Sequence, residues 1–489
     1  MPNGRSFKSD ESFLEKISMG AIGTRFVYSN LASNGHQPIE LERGSRNFKI
    51  WKSIKIKRVR VPDILCVKCG TRVESRAKTK MEISMSHSTA DPNRGWDFGL
   101  EDTDYVAIIR CVKGSFTPTD WHAQSPIQYI QLANLRKAYR QHKILQERPK
   151  GAEEGFETRI IWPTTIASSN GVVHSLTSDR IRFKRKSDDR TISVGLEKKK
   201  IKVNPLVKIG EEVVEGQILA SVVHVEKCFK CAGDKDIESY IRLLTSSSIS
   251  DRYAAIKAIS NLDVKKVVDV LKKRMVDSKE HVYVRLEAAA ALARIEDTDG
   301  IQYLTSMIKD EYLENRLETV IILGEINTAT SMKLLTNTLA DETQNPEIRA
   351  ASAWSIGELG HPEAIKVLIG AFNAVDNIVK IEASKALAKF ANSYTPLLLN
   401  QFKSASISQR SGIAWALGKT GRFTIDDIRS CLIDGDARQW VSYIIGTRNE
   451  DEFIKQIEEI KKQDPEVYFA VTVLWKIFSS WINEIEEFS

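Results

Sequence analysis

The 489-residue chain contains no apolar run near the roughly 18 residues that a membrane-spanning helix requires, so no membrane domain is expected. Its opening, MPNGRSFKSDESFLEK, places acidic side chains where a secretion signal needs an apolar stretch, and the compartment expected is the cytoplasm. No GxxxxGK(S/T) loop occurs, so any ATP dependence would have to come from a partner. Cysteine is scarce, with six in all, which turns attention to where they stand. What is present, 42% hydrophobic and 28% charged residues, is the balance of a soluble globular protein. A chain of this length outgrows one hydrophobic core, and two or three domains are expected.

The net charge of +7 is unevenly spread, with the basic excess before Glu238 and a mildly acidic remainder after it. From Arg46 to Lys80 twelve basic residues stand against only Asp63 and Glu74, a stretch suited to a polyanion. A solvated basic surface explains the same charges equally well.

From about Glu238 one pattern recurs: a basic residue opens a helix, small and apolar residues follow, and Leu or Ile near Gly closes it. The copies include VRLEAAAALARI from Val284, NRLETVIILGEI from Asn315 and IRAASAWSIGEL from Ile348. Their basic residues, Arg252, Arg285, Arg316, Arg349, Lys380, Arg410 and Arg438, are spaced by about 28 to 33 residues, the period of stacked helix pairs. Small side chains let neighbouring helices approach, and each pair buries its face only by stacking. The repeats resemble short HEAT-like repeats, which implies a scaffold that binds a protein partner. The recurring cations either brace neighbouring units or line a concave nucleic-acid face, and bracing is the expected role. Trp354, Trp415, Trp440, Trp475 and Trp481 read as core, and the segment YFAVTVLWKIFSSWINEIEEF reads as a terminal cap.

The N-terminal part reads as a helix from Ser12 with Phe13, Leu14, Ile17, Ile22, Phe26, Val27 and Leu31 at helical spacing, ended near Gly35. A strand near Gln37 to Leu41, two strands joined by VKCG, and DYVAIIRCV as a further strand follow. SPIQYIQLANLRKAYRQHKILQ, from Ser125 to Gln146, reads as an amphipathic helix with Arg136, Lys137, Arg140 and Lys143 on a basic face that either covers the sheet or touches phosphate. With Pro62-Asp63 leading into one strand and Glu74 on the next, this order resembles the PD-(D/E)xK nuclease superfamily over about residues 12 to 145. The resemblance implies an α/β restriction-endonuclease-like domain in which Asp63 and Glu74 hold Mg²⁺ and a cation on the face of Glu74 assists. Alternation along a strand puts Glu74, Arg76 and Lys78 on one face. Arg76 stands where the family has Lys and cannot act as a base at neutral pH, so Lys78 or a non-catalytic binding domain are the two ways forward.

Four cysteines form the pairs Cys66-Val67-Lys68-Cys69 and Cys228-Phe229-Lys230-Cys231, each with zinc-knuckle spacing. Four thiolates from Cys66, Cys69, Cys228 and Cys231 would close a structural Zn²⁺ site, with a redox pair or buried free thiols as the competing readings. Cys111 and Cys431 read as core. Between these landmarks, KIKVNPLVKIGEEVVEGQILASV resembles the barrel-sandwich hybrid modules of biotinyl carriers, through Val207, Gly210, Val213 or Val214, Gly216 and Gln217. No Met-Lys acceptor dipeptide is present, so lipoylation or biotinylation is not expected.

The expectation is therefore a multidomain α+β protein: a nuclease-like domain over 1–150, a small β module over 151–237 and an α-solenoid of HEAT-like repeats over 238–489. Its function would be metal-dependent phosphodiester hydrolysis on DNA. The alternative is a non-catalytic nucleic-acid adaptor whose repeats recruit a protein.

Overall fold

The computed structural model describes residues 10–42, 54, 59–114, 120–148, 157–227, 229–262 and 264–424, together with a few positions between 427 and 444. The molecule divides into two compact units, residues 1–50 with 58–263 and residues 51–57 with 264–489. Both expected limits, at 150 and 237, fall inside the first unit.

The first unit opens with α1 (Asp10–Ser33), β1 (Pro38–Glu40), β2 (Ile64–Cys66), β3 (Arg72–Lys78) and β4 (Ile83–Ser88). Then come β5 (Tyr105–Lys113), β6 (Trp121–Gln131), α2 (Leu132–Arg140), β7 (Leu145–Glu147) and β8 (Glu157–Trp162). A five-stranded sheet has the order β1-β2-β3-β5-β6, antiparallel except where β3 runs parallel to β5. A parallel neighbour needs a crossover, and residues 79–104 supply it by way of β4, which pairs instead with β8 in a second sheet. The single strand expected after VKCG is thus followed by a second, β4, in another sheet.

Helix α1 lies on one face of the five-stranded sheet, where Val27 and Leu31 pack with Ile64, Val73, Ala107 and Ile109. Gly23 makes this contact close, because a Cβ there would fall 2.8 Å from that of Ala77 on β3. The helix ends at Gly35, whose φ of +84° suits a residue without a Cβ. On the other face Val106, Ile108 and Ile130 meet Ile83, Met85, Ile160 and Trp162.

The expected helix from Ser125 to Gln146 is corrected: residues 121–131 are strand, and only Leu132–Arg140 is helical. Ile127 and Tyr129 enter the α1-side core while Ile130 enters the opposite one, so both faces are buried with a period of two. Two isoleucines three apart imitated a helical stripe. Arg136 on α2 is a brace, with Nε 2.7 Å from Asp97, Nη1 2.7 Å from Asp102 and Nη2 donating to the Leu100 carbonyl.

The β module follows with β9 (Thr164–Ile166), β10 (Gly171–Leu176), β11 (Arg180–Arg185), β12 (Thr191–Gly195), β13 (Glu197–Lys198), β14 (Ile201–Lys202), β15 (Asn204–Pro205), β16 (Glu212–Val213) and β17 (Ile218–Ser221). Small sheets in the orders β12-β11-β10-β16 and β15-β17-β9 enclose Val173, Ile181, Phe183, Val203, Val213 and Leu219. The Gln128 side chain links the module to β6, donating to the Gly216 carbonyl and accepting from the Ile218 N–H at 2.6 Å. Two helices, α3 (Ile237–Leu243) and α4 (Ile249–Ile259), complete the unit.

The second unit is a helical array: α5 (Val268–Val276), α6 (Val282–Arg294), α7 (Thr298–Met307), α8 (Leu313–Ile326), α9 (Ala329–Ala340), α10 (Pro346–Leu359), α11 (Ala364–Gly370), α12 (Asn377–Ala391), α13 (Thr395–Ser404) and α14 (Ile407–Thr420). The even-numbered helices stack on one another as well as on their own partners. Small residues set the spacing: a Cβ on Gly324 would fall 2.8 Å from Ser355 Cβ, and one on Gly357 2.7 Å from Ala386 Cβ.

The recurring cation is structural. Arg285 Nε donates to the Met275 carbonyl, Arg316 Nε to that of Asp310, Arg349 Nε to that of Leu339 and Arg410 Nε to that of Phe402. In the first unit Arg252 does the same for Ser246 and Ser247. Each guanidinium thereby donates to carbonyls at a helix end or in the turn after it, where backbone donors run short; the Phe402 carbonyl also accepts from the Ala405 N–H. Trp354 and Trp415 are half-buried rather than core, with Lys389 Nζ 5.8 Å and Lys419 Nζ 5.7 Å from their ring centres. Trp475, Trp481, Cys431, Arg438 and the expected terminal cap lie outside the described residues.

Candidate functional site

The turn between β2 and β3 carries Cys66 and Cys69. Cys66 N–H donates to the Thr71 carbonyl at 2.8 Å and Gly70 N–H to the Cys66 carbonyl at 2.8 Å, closing a tight knuckle. Gly70 has φ +76°, and a Cβ there would strike the Lys235 side chain at 2.6 Å. Two distant segments meet this knuckle. One is the residue just past α1, His36, and the other is the irregular stretch around Phe229 and Cys231 that leads towards α3.

Among the described residues, His36, Cys66, Cys69 and Cys231 form the one group of three or more potential ligands, their donor atoms all within 4.8 Å of one another. Cys66 Sγ lies 4.0 Å from Cys231 Sγ, and Cys69 Sγ lies 3.6 Å from His36 Nδ1. The other imidazole nitrogen, Nε2, is 3.2 Å from the Phe229 carbonyl. A proton there donates to the carbonyl and leaves the Nδ1 lone pair facing the thiols. Phe229 is held in turn, stacked on His36 and packed against Tyr105 and Tyr129. The Gln37 N–H donates to Cys66 Sγ at 3.3 Å, and Cys69 Sγ lies 3.2 Å from Thr71 Oγ1. The hydrogen bond from Cys66 holds the Cys69 thiol far below its ordinary range, while that same contact and burial push Cys66 up. Cys228, expected as a ligand, lies outside the described residues. His36 was not singled out in the sequence; a lone histidine after a glycine, with no spacing to either cysteine pair, carries no pattern.

The second constellation is on the same hairpin. Asp63, just before β2, is buried and accepts a hydrogen bond from the Ser75 N–H of β3 at 2.7 Å. Burial raises its carboxyl well above the ordinary carboxylate range, and the nearby charges of Glu74 and Glu42 add to the rise. Glu74, also buried, forms an ion pair with Arg76 Nη2 at 2.8 Å. Asp63, Glu74 and Arg76 therefore come together. Lys78 turns away: its Nζ donates to the Ser84 carbonyl at 2.7 Å and lies 3.2 Å from Ser84 Oγ. Burial, with Arg76 and Arg159 nearby, brings its amine down to about 8.

A third feature escaped the sequence reading. Along β11, Ile181 and Phe183 are buried in the module's core, so Arg180, Arg182 and Lys184 point to the outward face. Ser193 and Thr191 of β12 stand opposite Arg182 and Lys184. From Arg180 to Lys202 ten Lys and Arg face three Asp and Glu, a denser excess than the surrounding sequence.

Comparison with known proteins bears on the helical part. Residues 237–314 and 307–388 match the family model of HEAT repeats, so the chain carries such repeats. Deoxyhypusine hydroxylase from Mus musculus is 25% identical over 101 residues, which are 21% of this chain and 33% of that protein. The Drosophila melanogaster protein of that name is 29% identical over 84 residues, 17% of this chain and 28% of its own. The chain thus spans about a third of the length of these relatives. Among solved structures, human deoxyhypusine hydroxylase in complex with glycerol aligns with 45% of this chain and 99% of its own at 14% identity and a TM-score of 0.21. The CpcE–CpcF complex of a Nostoc phycocyanin lyase aligns with 50% and 96% at 17% identity and a TM-score of 0.25. No helix among the described residues is long and apolar enough to cross a membrane.

Proposed function

We propose that the chain is a nucleic-acid-binding adaptor: the first unit grips a phosphodiester backbone, and the HEAT repeats dock a protein partner. The observation that carries this reading is the outward face of the β10–β12 sheet, where Arg180, Arg182 and Lys184 stand in one row beside Ser193 and Thr191. Rows of cations on a rigid sheet, flanked by hydroxyls, suit phosphate oxygens and carry no sequence preference of their own. The array is a poor second site for a polyanion. Its recurring arginines are spent on helix-end carbonyls, and Arg294–Glu325 and Lys389–Glu358 pair charges between adjacent even-numbered helices. The hydroxylase activity of the relatives stays with those proteins, whose length is matched only in part.

Fluorescence anisotropy with labelled DNA and RNA over a salt series tests the proposal. If about four cations each meet a phosphate, affinity falls roughly 150-fold between 50 and 200 mM salt. The double variant Arg182→Glu, Lys184→Glu should weaken binding and flatten that slope by about two. Binding that ignores both salt and the substitutions would remove the reading.

One observation favours a second reading, Mg²⁺-dependent cleavage: Asp63 and Glu74 do meet across β2 and β3. A divalent ion held there would polarise a phosphodiester and activate water. Arg76 is engaged in its ion pair with Glu74, and Lys78, the other cation on that face, donates to Ser84 instead of to the carboxylates, which is why binding is placed first. Incubating DNA and RNA with Mg²⁺ or Mn²⁺ decides between the two. Cutting that is lost in both Asp63→Ala and Glu74→Ala establishes the nuclease, and binding without cutting retains the adaptor.

A further inference from the structure

The geometry points to a closed zinc site made by His36, Cys66, Cys69 and Cys231, and we propose that His36 completes the tetrahedron through Nδ1, so that Cys228 is not needed as a ligand. The proposal concerns the hairpin that also carries Asp63 and Glu74, but it stands apart from whether the first unit binds nucleic acid.

Thiolates bound to zinc at about 2.3 Å and at the tetrahedral angle lie about 3.8 Å apart. The contacts of 4.0 Å between Cys66 and Cys231 and 3.6 Å between Cys69 and His36 approach those edges. Three soft sulfurs and one imidazole select zinc over the hard cations, which prefer oxygen. The surroundings complete the case. The Phe229 carbonyl occupies the second imidazole nitrogen, which fixes the ring with Nδ1 inward, and Phe229 itself is clamped by Tyr105 and Tyr129. The Gln37 N–H is directed at Cys66 Sγ at 3.3 Å, as a backbone donor to a metal-bound sulfur would be. Further backbone bonds hold the three segments together independently of the ion, from Cys231 N–H to the Asn34 carbonyl and from Lys235 N–H to the Lys68 carbonyl. The four protein donors leave no open position for water or substrate, so the ion is a staple. It joins the end of α1, the β2–β3 turn and the segment before α3, across 165 residues between Cys66 and Cys231.

The full-length protein, purified without added metal, should contain about one zinc per chain by elemental analysis. After exchange with Co²⁺, the thiolate-to-cobalt charge-transfer band reports the number of sulfurs. Cys228→Ser should keep one metal per chain and the band of the unaltered protein. His36→Ala should weaken metal binding by at least about 100-fold, more than loss of an outer-shell partner would. Should His36→Ala fold poorly, His36→Cys still decides, because it should keep the metal and raise the band by about a third as three thiolates become four. A protein with no zinc, a Cys228→Ser variant with a weaker band, or a His36→Cys variant with an unchanged one would each overturn the assignment. Anisotropy with DNA, measured on the same preparations, reports separately on the nucleic-acid reading.

Discussion

Arg72 is the residue whose loss should cost the first unit most. It opens β3 with a side chain only 7% exposed, and its guanidinium is spent in two directions. Nε and Nη2 grip Asp104 at 2.7 and 3.0 Å, the two-pronged arrangement that suits a carboxylate, while Nη1 reaches Asp251 at 2.8 Å and Ser250 Oγ at 3.2 Å on α4. Asp104 is as enclosed as its partner, and its remaining bond comes from the Glu101 N–H at 2.7 Å. Replacing Arg72 by Met keeps much of the volume and leaves a buried carboxylate with no counter-charge, a change that costs about 3–5 kcal/mol. For a unit of this size that is a fall in Tm of roughly 6 to 20 °C. Acid should restore part of it. Even with Arg72 present, burial raises the Asp104 carboxyl above its ordinary value, so its native pKa exceeds its unfolded one. Stability from this group is therefore greatest below the unfolded pKa and is lost as pH rises through the native pKa. Removing Arg72 raises the native value further and widens that window. The deficit of Arg72→Met against the unaltered protein should thus be full at pH 8 and shrink towards pH 4. Hydrogen exchange of β3 and β5 reads the loss locally, and calorimetry reads it in the transition of the first unit. A deficit below about 1 kcal/mol, or one that does not change with pH, would refute the view that an enclosed ion pair joins the sheet to α4.

Three further outcomes are expected. Asp63→Asn keeps an acceptor for the Ser75 N–H and removes a carboxylate that burial and Glu74 disfavour, so it should stabilise the protein at pH 8, with the gain fading towards pH 4 in a thermal-melt series. In the array, Arg349→Met removes the donor to the Leu339 carbonyl and the pair with Asp376 at 3.6 Å, and urea titration should show a loss of about 2–3 kcal/mol. Gly357→Ala should cost about 1–2 kcal/mol by forcing α10 away from the Ala386 backbone, whereas Gly370→Ala, with nothing within 4 Å, should be neutral or mildly stabilising in the same titration.

How far the sequence could be read depended on whether a residue's partner was periodic or remote. The array was legible because its physics repeats: the same cation meets the same helix-end carbonyls in Arg285, Arg316, Arg349 and Arg410, so one copy predicts the next. The half-buried Trp354 and Trp415 show the limit of that reading, since periodicity places a residue on a helix without saying which faces the neighbouring helices cover. Strand β6 was misread because two cores, one on each face, bury consecutive residues and erase the polar alternation that marks a strand. The candidate metal group was half legible. Cys66 and Cys69 announce themselves by a spacing that a tight turn requires, but His36 reaches them only because Gly23 lets α1 settle against β3 and Gly35 turns the chain at the helix end. No local pattern records such a meeting. The same holds for the basic row on β11: the charges are plain in the sequence, yet only the burial of Ile181 and Phe183 turns Arg180, Arg182 and Lys184 into one surface. Adding a buried charge on that strand would therefore do more than change composition. A Phe183→Lys substitution would set a cation against Val173 and Val213 in the core, and it should lower phosphate binding by unfolding the row although it adds a positive charge.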